Sequence, residues 1–300
     1  MFLFSYFVGE GEDGLHVAYS ADGLTWTPIN GGRPLLAPAI GSSVMRDPAL
    51  FAGKDGLFRL TWTTGWFDLG IGYAQSSDLT HWSEQQFLPV VAQEPAAVNC
   101  WAPEIFYDDA SGDHLVYWSS TIPGRFPETD LTGDLHDGHR LNHRIYYCRT
   151  PDFVTFSPAA LLFDCGFNVI DATIFKAGDR FMAIVKDETR HPSPCKRLRL
   201  ASSRTLCGPY IASCLPLSPD WVEGPSVLRV NGRWIVYYDE YTRGRYGAIA
   251  SEDLHEWQIV SDDLTMPPGA RHGSAIILPE QLAERLRGSG LLPQNVVTYR

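Results

Sequence analysis

What this 300-residue chain lacks narrows its functions before any motif is read. It has only six cysteines, Cys100, Cys148, Cys165, Cys195, Cys207 and Cys214, and no Cys-x-x-Cys pair. That spacing argues against a zinc site or a redox dithiol. The cysteines read as free thiols in a reducing compartment, with a Cys207–Cys214 bridge as the weaker alternative. No apolar run is long enough to span a bilayer. The opening segment, Met1-Phe-Leu-Phe-Ser-Tyr-Phe-Val, has no basic start and no long apolar core. It reads as a strand rather than a secretory signal, so a cytoplasmic location is expected. Positive charge is short as well: 24 Lys and Arg stand against 35 Asp and Glu, a formal net charge of −11. This balance disfavours nucleic acid and anionic membranes as partners and favours neutral or cationic ligands. No Ser/Gly/Pro linker or low-complexity stretch divides the chain. A hydrophobic content of 44% with 12% aromatics is ample for one large core.

What the chain does contain is a repeat. Glu223-Gly224-Pro225-Ser226 leads into a β-rich run, the turn Asn231-Gly232, and a second β-rich run Trp234–Tyr238. Asn-Gly between two such runs is a hairpin signal. The same order recurs after Arg46-Asp47-Pro48, after Trp101-Ala102-Pro103-Glu104 and after Ile170-Asp171-Ala172. A fifth opener is Arg271-His272-Gly273. Aligned on Asp47, Glu104, Asp171, Glu223 and His272, the openers lie 57, 67, 52 and 49 residues apart. That period suits one four-stranded propeller blade per unit.

A second phrase closes the units. Ser20-Ala-Asp22-Gly-Leu-Thr-Trp26 returns around Asp78 and Trp82, Asp152 and Phe156, and Asp253 and Trp257. It predicts an Asp-capped turn with an aromatic packed between blades, a structural device rather than a catalytic one. The chain starts on a closing phrase and ends on an opening one. The N-terminal strands Phe2–Phe7 and Leu15–Ser20 are therefore expected to complete the blade that Ser274–Leu278 begins. The expectation is an all-β, five-bladed β-propeller over residues 1–279, followed by a helix at Glu280–Arg287 and a tail to residue 300.

One segment breaks the pattern. Thr121–His143 carries five Gly or Pro residues, shows no strand pattern, and holds Asp134, His136, Asp137, His139 and His143. Loops of this length are commonly lids or binding loops. No spacing in it matches a familiar metal-ligand set, so a solvated loop over one mouth of the ring is the expected reading. The openers start the innermost strands, so their four acids and one histidine should converge at one end of the central channel. Crowded carboxylates shift one another's pKa values and keep one protonated near neutral pH. A protonated acid facing an ionised one is the equipment of glycoside hydrolysis. Trp66, Trp101, Tyr107, Trp118 and Trp221 are candidates for stacking on sugar faces, although each taken alone reads first as a core residue.

Together, Arg46-Asp47-Pro48, Trp101-Ala102-Pro103-Glu104, Ile170-Asp171-Ala172, Glu223-Gly224-Pro225 and Arg271-His272-Gly273 resemble glycoside hydrolase family 43. Its members are five-bladed propellers acting on arabinosides, xylosides and galactans. The resemblance implies an inverting mechanism. In it, Asp47 is the general base, Asp171 tunes and orients the donor, and Glu223 is the general acid. Trp101, Glu104, His272, Arg271 and Trp66 would bind substrate. No cofactor is required, but a structural calcium or other cation in the channel is compatible, with His272 contacting it through a water. The implied partner is an oligosaccharide, and the implied enzyme is an α-L-arabinofuranosidase or β-xylosidase. Exo-action on short oligosaccharides is expected from the absent signal segment and from the long Thr121–His143 loop, which would wall off one end of the groove. The chain departs from the family in two ways: over forty residues precede the base, and Glu104 stands where Asp is common.

Alternatives are a non-catalytic carbohydrate-binding propeller and a galactan- or fructan-directed glycosidase of related fold. Fructan-cleaving relatives place a nucleophile one blade earlier, and no Asn-Asp-Pro-Asn-Gly precedes Asp47 here. A sialidase is disfavoured because the Asp22-type phrase is one residue shorter than an Asp-box. A protein-binding scaffold would not need acids at four of five openers.

Overall fold

The structure, a computed structural model, describes residues 1–294. Five sheets of four antiparallel strands stand around a central axis. Their innermost strands are Arg46–Ala52, Trp101–Tyr107, Val169–Ala177, Glu223–Val230 and Arg271–Ile277. Each touches its two neighbours, and the last touches the first, so the ring is closed. The fold is the expected five-bladed propeller.

The fifth blade is shared between the chain ends. Arg271–Ile277 pairs with Phe2–Phe7, which pairs with His16–Ser20 and then Thr27–Pro28. Closure buries strand edges that would otherwise face solvent. Ser5 seals the seam: its Oγ donates to Pro48 O in the first blade at 2.6 Å and lies 3.1 Å from Ser274 Oγ. Leu50 N–H in turn donates to Ser274 Oγ at 3.0 Å. The helix Glu280–Gly288 lies over this junction. Leu282, Ala283 and Leu286 pack with Leu3, Leu15 and Leu60, from the fifth and first blades. Arg285 donates to Gly56 O and Ser77 O. Of the expected tail, residues 295–300 lie outside the described residues.

The closing phrase is the turn its sequence implied. Asp22 accepts the N–H groups of Leu24 and Thr25, and Asp78, Asp152 and Asp253 do the same two and three residues on. Trp26 then packs between blades, its ring 5.4 Å from Phe4 and 5.8 Å from Tyr237. Asn231 and Gly232 both have positive φ, and Val230 pairs directly with Arg233. That is the two-residue hairpin the Asn-Gly pair predicts.

The seam makes a testable claim. A Cβ on Gly273 would meet Ser5 O at 1.8 Å, whereas one on Gly269 would meet nothing within 4 Å. Gly273→Ala wedges apart Arg271–Ile277 and Phe2–Phe7, and should cost about 1–3 kcal/mol through overpacking plus the displaced pairing. Gly269→Ala strains only a positive-φ turn, about 1–2 kcal/mol. Chemical denaturation of both variants should show the larger loss for Gly273→Ala. The opposite ranking would mean that the closing seam is not close-packed.

Candidate active site

The repeat positions its functional side chains by one irregularity, copied in every blade. Near the start of each innermost strand, two residues oppose one on the second strand. The bulged pairs are Asp47-Pro48, Ala102-Pro103, Asp171-Ala172, Gly224-Pro225 and His272-Gly273, flanked by register pairs such as Arg46↔Thr63 and Ala49↔Thr61. A bulge re-aims side chains and sharpens the local twist. In four of the five, the first bulged residue has positive φ: Asp47 (51°), Ala102 (46°), Asp171 (51°) and Gly224 (59°). Asp tolerates this region better than most residues. Glycine is required at 224 for a second reason, since a Cβ there would lie 2.5 Å from the His272 ring.

This bulge corrects the alignment read from sequence. Asp47, Asp171 and His272 are equivalent positions, together with Ala102 and Gly224. Glu223 lies one residue earlier, on the rung of Arg46, Trp101, Ile170 and Arg271. Glu104 lies two residues later, on the rung of Ala49, Thr173, Ser226 and Ser274. The openers therefore form three layers along the axis instead of one ring. Glu223 faces a pocket of about 450 Å³. Asp47, Asp171 and His272 line both that pocket and a narrow space of about 10 Å³ behind it. Glu104 borders only the narrow space. Expected among the substrate-binding residues, it lies behind the pocket instead, where it accepts the Tyr117 hydroxyl at 2.6 Å.

Charge differentiates the carboxylates. His272 Nδ1 lies 3.1 Å from Asp47 Oδ1 and 3.9 Å from Asp171 Oδ2. Burial opposes the imidazolium, but Asp171, Asp47 and Glu223 outweigh it and raise His272 to about 10. Burial likewise pushes Asp47 up, yet His272, Arg46 and the Thr63 hydroxyl (2.7 Å) bring it down to about 2. Asp47 is thus ionised through the neutral range. Asp171 goes the other way, to about 6, because burial dominates and Glu223 and Asp47 add negative charge. Its Oδ2 accepts the Gly224 N–H at 3.1 Å. Glu104 is pushed to about 7 by burial. Glu223 is buried too, but Lys186, His272 and Arg271 hold it below its ordinary value. Lys186 Nζ is 3.1 Å from Glu223 Oε2, and Arg271 Nη2 is 3.3 Å from Oε1. Arg271 also pairs with Asp239 at 3.2 Å. It supports Glu223 and is not among the residues lining the pocket.

The space behind the pocket has room for about one water. With an imidazolium at its edge, it does not suit the six to eight oxygens of a calcium shell. Among the described residues, no three His, Cys, Asp or Glu side chains are grouped to hold a metal ion.

Aromatics and the 121–143 segment build the walls. Trp101 Nε1 donates to Trp66 O at 2.9 Å, and the two rings meet edge-on at 5.3 Å. Arg46 lies over Trp66 at 5.2 Å and pairs with Glu10. Trp66 and Trp101 line the pocket as expected, and Trp221 joins them. Tyr107 and Trp118 do not: Trp118 is fully buried with its Nε1 on Ser120 Oγ, and Tyr107 packs on His114. The 121–143 segment is exposed over much of its length, as expected of a loop, but it is more ordered than its composition suggested. It contains a 3-10 turn at Pro127–Thr132 and a small hairpin of Leu135–His136 with His139–Arg140. It is tied down where Arg190 and His191 N–H groups donate to Thr132 O and Asn168 Nδ2 donates to Leu141 O. Its histidines serve packing: His136 lies on Trp66 and Phe67, His139 on Phe67, and His143 on Trp101. Burial pushes His143 down to about 3, so it stays neutral.

Sequence reasoning missed Lys186, Glu188, Lys196 and Tyr241, which also line the pocket. A signal was present for Lys186: it is a lysine at the end of the apolar run Phe181–Val185. Lysine is almost never buried unless paired.

The raised acid behind the pocket gives a pH test. Glu104 binds its proton more tightly when folded (about 7) than at its ordinary 4.5. Its contribution is fully present below pH 4.5 and is lost as pH rises through 7. Glu104→Gln keeps an acceptor for Tyr117 and cannot ionise. Relative to wild type it should gain on the order of 3 kcal/mol between pH 4 and pH 8, read from denaturation midpoints. A wild-type-minus-variant difference independent of pH would refute the assignment.

Comparison with known proteins gives the family and the fold. The model of the glycosyl hydrolase family 43-related family, described as a "probable glycosyl hydrolase domain", matches residues 1–284. An α-L-arabinofuranosidase of Bifidobacterium longum subsp. longum is 24% identical over 176 residues, covering 52% of this chain and 16% of that protein. The chain thus spans less than a fifth of that relative's length. Among solved structures, an α-L-arabinofuranosidase from Lactobacillus brevis superposes with a TM-score of 0.56 at 19% identity, covering 78% of this chain and 74% of that one. A thermostable family-43 glycoside hydrolase gives 0.58 at 19%, covering 78% and 80%. An exo-β-1,3-galactanase from Phanerochaete chrysosporium gives 0.53 at 12%, covering 80% and 52%. These structural likenesses speak for the fold. With nearly its whole length matched by the family's model, the chain belongs to the glycosyl hydrolase family 43-related family.

Proposed function

We propose that this protein is an inverting exo-glycoside hydrolase releasing a terminal pentose, α-L-arabinofuranose or β-xylose, from plant-type oligosaccharides. One observation carries the reading: of the carboxylates lining a single pocket, three are set apart by their surroundings. Asp47 is held ionised by His272, Asp171 is raised by burial, and Glu223 is shared between two cations. In this reading Asp47 is the base that takes a proton from water, and Glu223 donates to the leaving oxygen. Asp171 orients the sugar and influences Glu223 through the Gly224 N–H it accepts.

Glu223 is ionised in the free protein and must gain a proton before it can donate one. A sugar filling the pocket excludes water, which raises a buried acid. The basic limb of the pH profile should therefore lie at higher pH in kcat, which reports the complex, than in kcat/KM, which reports the free enzyme.

Exo-action is supported by the wall that Asp134, Leu135, His136, Leu141 and His143 raise on one side of the pocket. The pentose preference rests on the named activity of the Bifidobacterium relative, and galactosides are the comparison the galactanase neighbours call for. We also propose action on short oligosaccharides in a reducing compartment, because the six cysteines are unpaired.

The test is a panel of nitrophenyl glycosides, with hydrolysis expected on a pentoside. Glu223→Gln should remove turnover of natural glycosides while sparing substrates with very acidic leaving groups, which need no proton. Asp47→Asn should damage both kinds, since water still needs its base. Equal losses in the Glu223 variant would take it out of the acid role. No hydrolysis of any glycoside, with sugar binding intact, would favour a carbohydrate-binding propeller.

A further inference from the structure

The third blade departs from the first, second and fourth at one repeated position, where the fifth, with Phe7 opposite Arg271, has no side-chain acceptor either. In the first, second and fourth blades, the second-strand residue opposite the start of the bulge accepts an N–H from the next blade. Thr63 Oγ1 accepts Ala102 N–H at 2.8 Å, Ser119 Oγ accepts Asp171 N–H at 3.2 Å, and Asp239 Oδ2 accepts His272 N–H at 3.3 Å. The equivalent residue of the third blade, opposite Ile170, is Lys186. An ammonium has no acceptor. The orphaned Gly224 N–H goes to Asp171 instead, and Lys186 points its charge at the Glu223 carboxylate.

Lys186 is divided between two acids. Its Nζ lies 3.1 Å from Glu223 Oε2 and 2.8 Å from Glu188 Oε2. Glu188 is paired on its other oxygen with Lys196, and Lys196 lies 2.6 Å from Asp134 Oδ2 in the 121–143 segment. Both lysines are nearly inaccessible to solvent, at 2% and 4% side-chain exposure, so their charges must be balanced locally. The result is a run of alternating charge, Asp134–Lys196–Glu188–Lys186–Glu223–Arg271–Asp239, from the inserted segment through the third and fourth blades to Arg271 of the fifth and back to Asp239 of the fourth.

We propose that Glu188, Lys196 and Asp134 are positioning residues that act through Lys186 to set when Glu223 carries a proton, so that the 121–143 segment belongs to the catalytic device and is more than a wall. The inference rests on the family 43-type reading of Glu223. Each pair in the run competes with the next: the more of Lys186 that Glu188 holds, the less remains to keep Glu223 ionised. The other groups facing Glu223 are Arg271 and His272 from the fifth blade, Asp47 from the first, Asp171 from the third, and Asp239, Tyr241 and Tyr246 around the fourth-blade edge. The variants below leave all of them in place.

The test follows the Glu223 carboxyl directly by carbon-13 NMR in glutamate-labelled protein, with its signal assigned by loss in Glu223→Gln. Lys186→Met should raise its titration midpoint by about 1–3 units, and Lys186→Arg should restore most of it. Glu188→Gln removes a neighbouring negative charge and leaves Lys186 undivided, so the midpoint should fall by about one unit. Asp134→Asn should move it the same way by less. This last variant retains the backbone bonds from Arg190 and His191 to Thr132, and so keeps its fold if the interior variants do not. On a glycoside with a poor leaving group, the basic limb of kcat/KM should shift by the same amounts. Midpoints unchanged in Glu188→Gln and Asp134→Asn would overturn the relay, whatever happens to stability. Failure of the acid assignment looks different: the midpoints move as stated while Glu223→Gln loses activity equally on good and poor leaving groups.

Discussion

The site depends on one buried imidazolium. Asp47, Glu104, Asp171, Glu223 and Asp239 all lie at or near one end of the channel, a density of acid that burial alone would force towards neutrality. His272 places a positive charge between Asp47 and Asp171, and Lys186 and Arg271 add two more at Glu223. Which acid stays ionised then follows from which has a cation in contact. Asp47 and Glu223, the best supplied, are lowered. Glu104, with only hydroxyl donors in contact, and Asp171, at 3.9 Å from the imidazole, are raised. Asp239 is raised as well, because the Arg271 it shares with Glu223 does not offset burial and the neighbouring carboxylate. The division of labour among chemically similar residues thus comes from three cations, two of them neighbours on the innermost strand of the fifth blade and one on the second strand of the third.

How much of this the sequence could show depends on what each feature rests on. The blades were legible because hairpin turns and capped turns are local: Asn231-Gly232 and the Asp22 phrase need only their own few residues to form. Ring closure was legible from order, since a chain that starts on a closing phrase and ends on an opening one has complementary ends. The layering of the acids was not legible. It requires knowing where two residues oppose one, and a bulge is a property of the paired strand. Glu223, Asp47 and Glu104 looked equivalent beside their prolines, yet the register puts them on three rungs. The aromatics divided for a similar reason. Trp101 and Trp118 sit on adjacent strands of one blade, and only the facing direction separates a pocket wall from a fully buried core ring.

The 121–143 segment shows the same limit from another side. Its glycines, prolines and charges suggested solvent, because composition reports what a residue can tolerate and not what it touches. Asp134 and the histidines are used up in specific contacts with the third blade and with the Trp66 wall.

A ring of five equal units has no built-in direction for chemistry, and the asymmetry here comes from single replacements at repeated positions. The rung that holds Thr63, Ser119 and Asp239 is an acceptor rung, and its common task is to join one blade to the next through an N–H. Placing a lysine on that rung in the third blade ends the joining role and frees an N–H that Asp171 then accepts, which fixes the Asp171 carboxyl against the fourth blade. The same replacement delivers a cation to Glu223, so one substitution orients one acid and charges another. Lysine so deeply buried needs further acids to balance it, and Glu188 provides one from the next loop. Glu188 in turn needs Lys196, and Lys196 needs Asp134. The inserted segment is thereby bound to the site by charge balance as well as by packing, and the lysine on this rung of the third blade gives the second blade's insertion a charged anchor there.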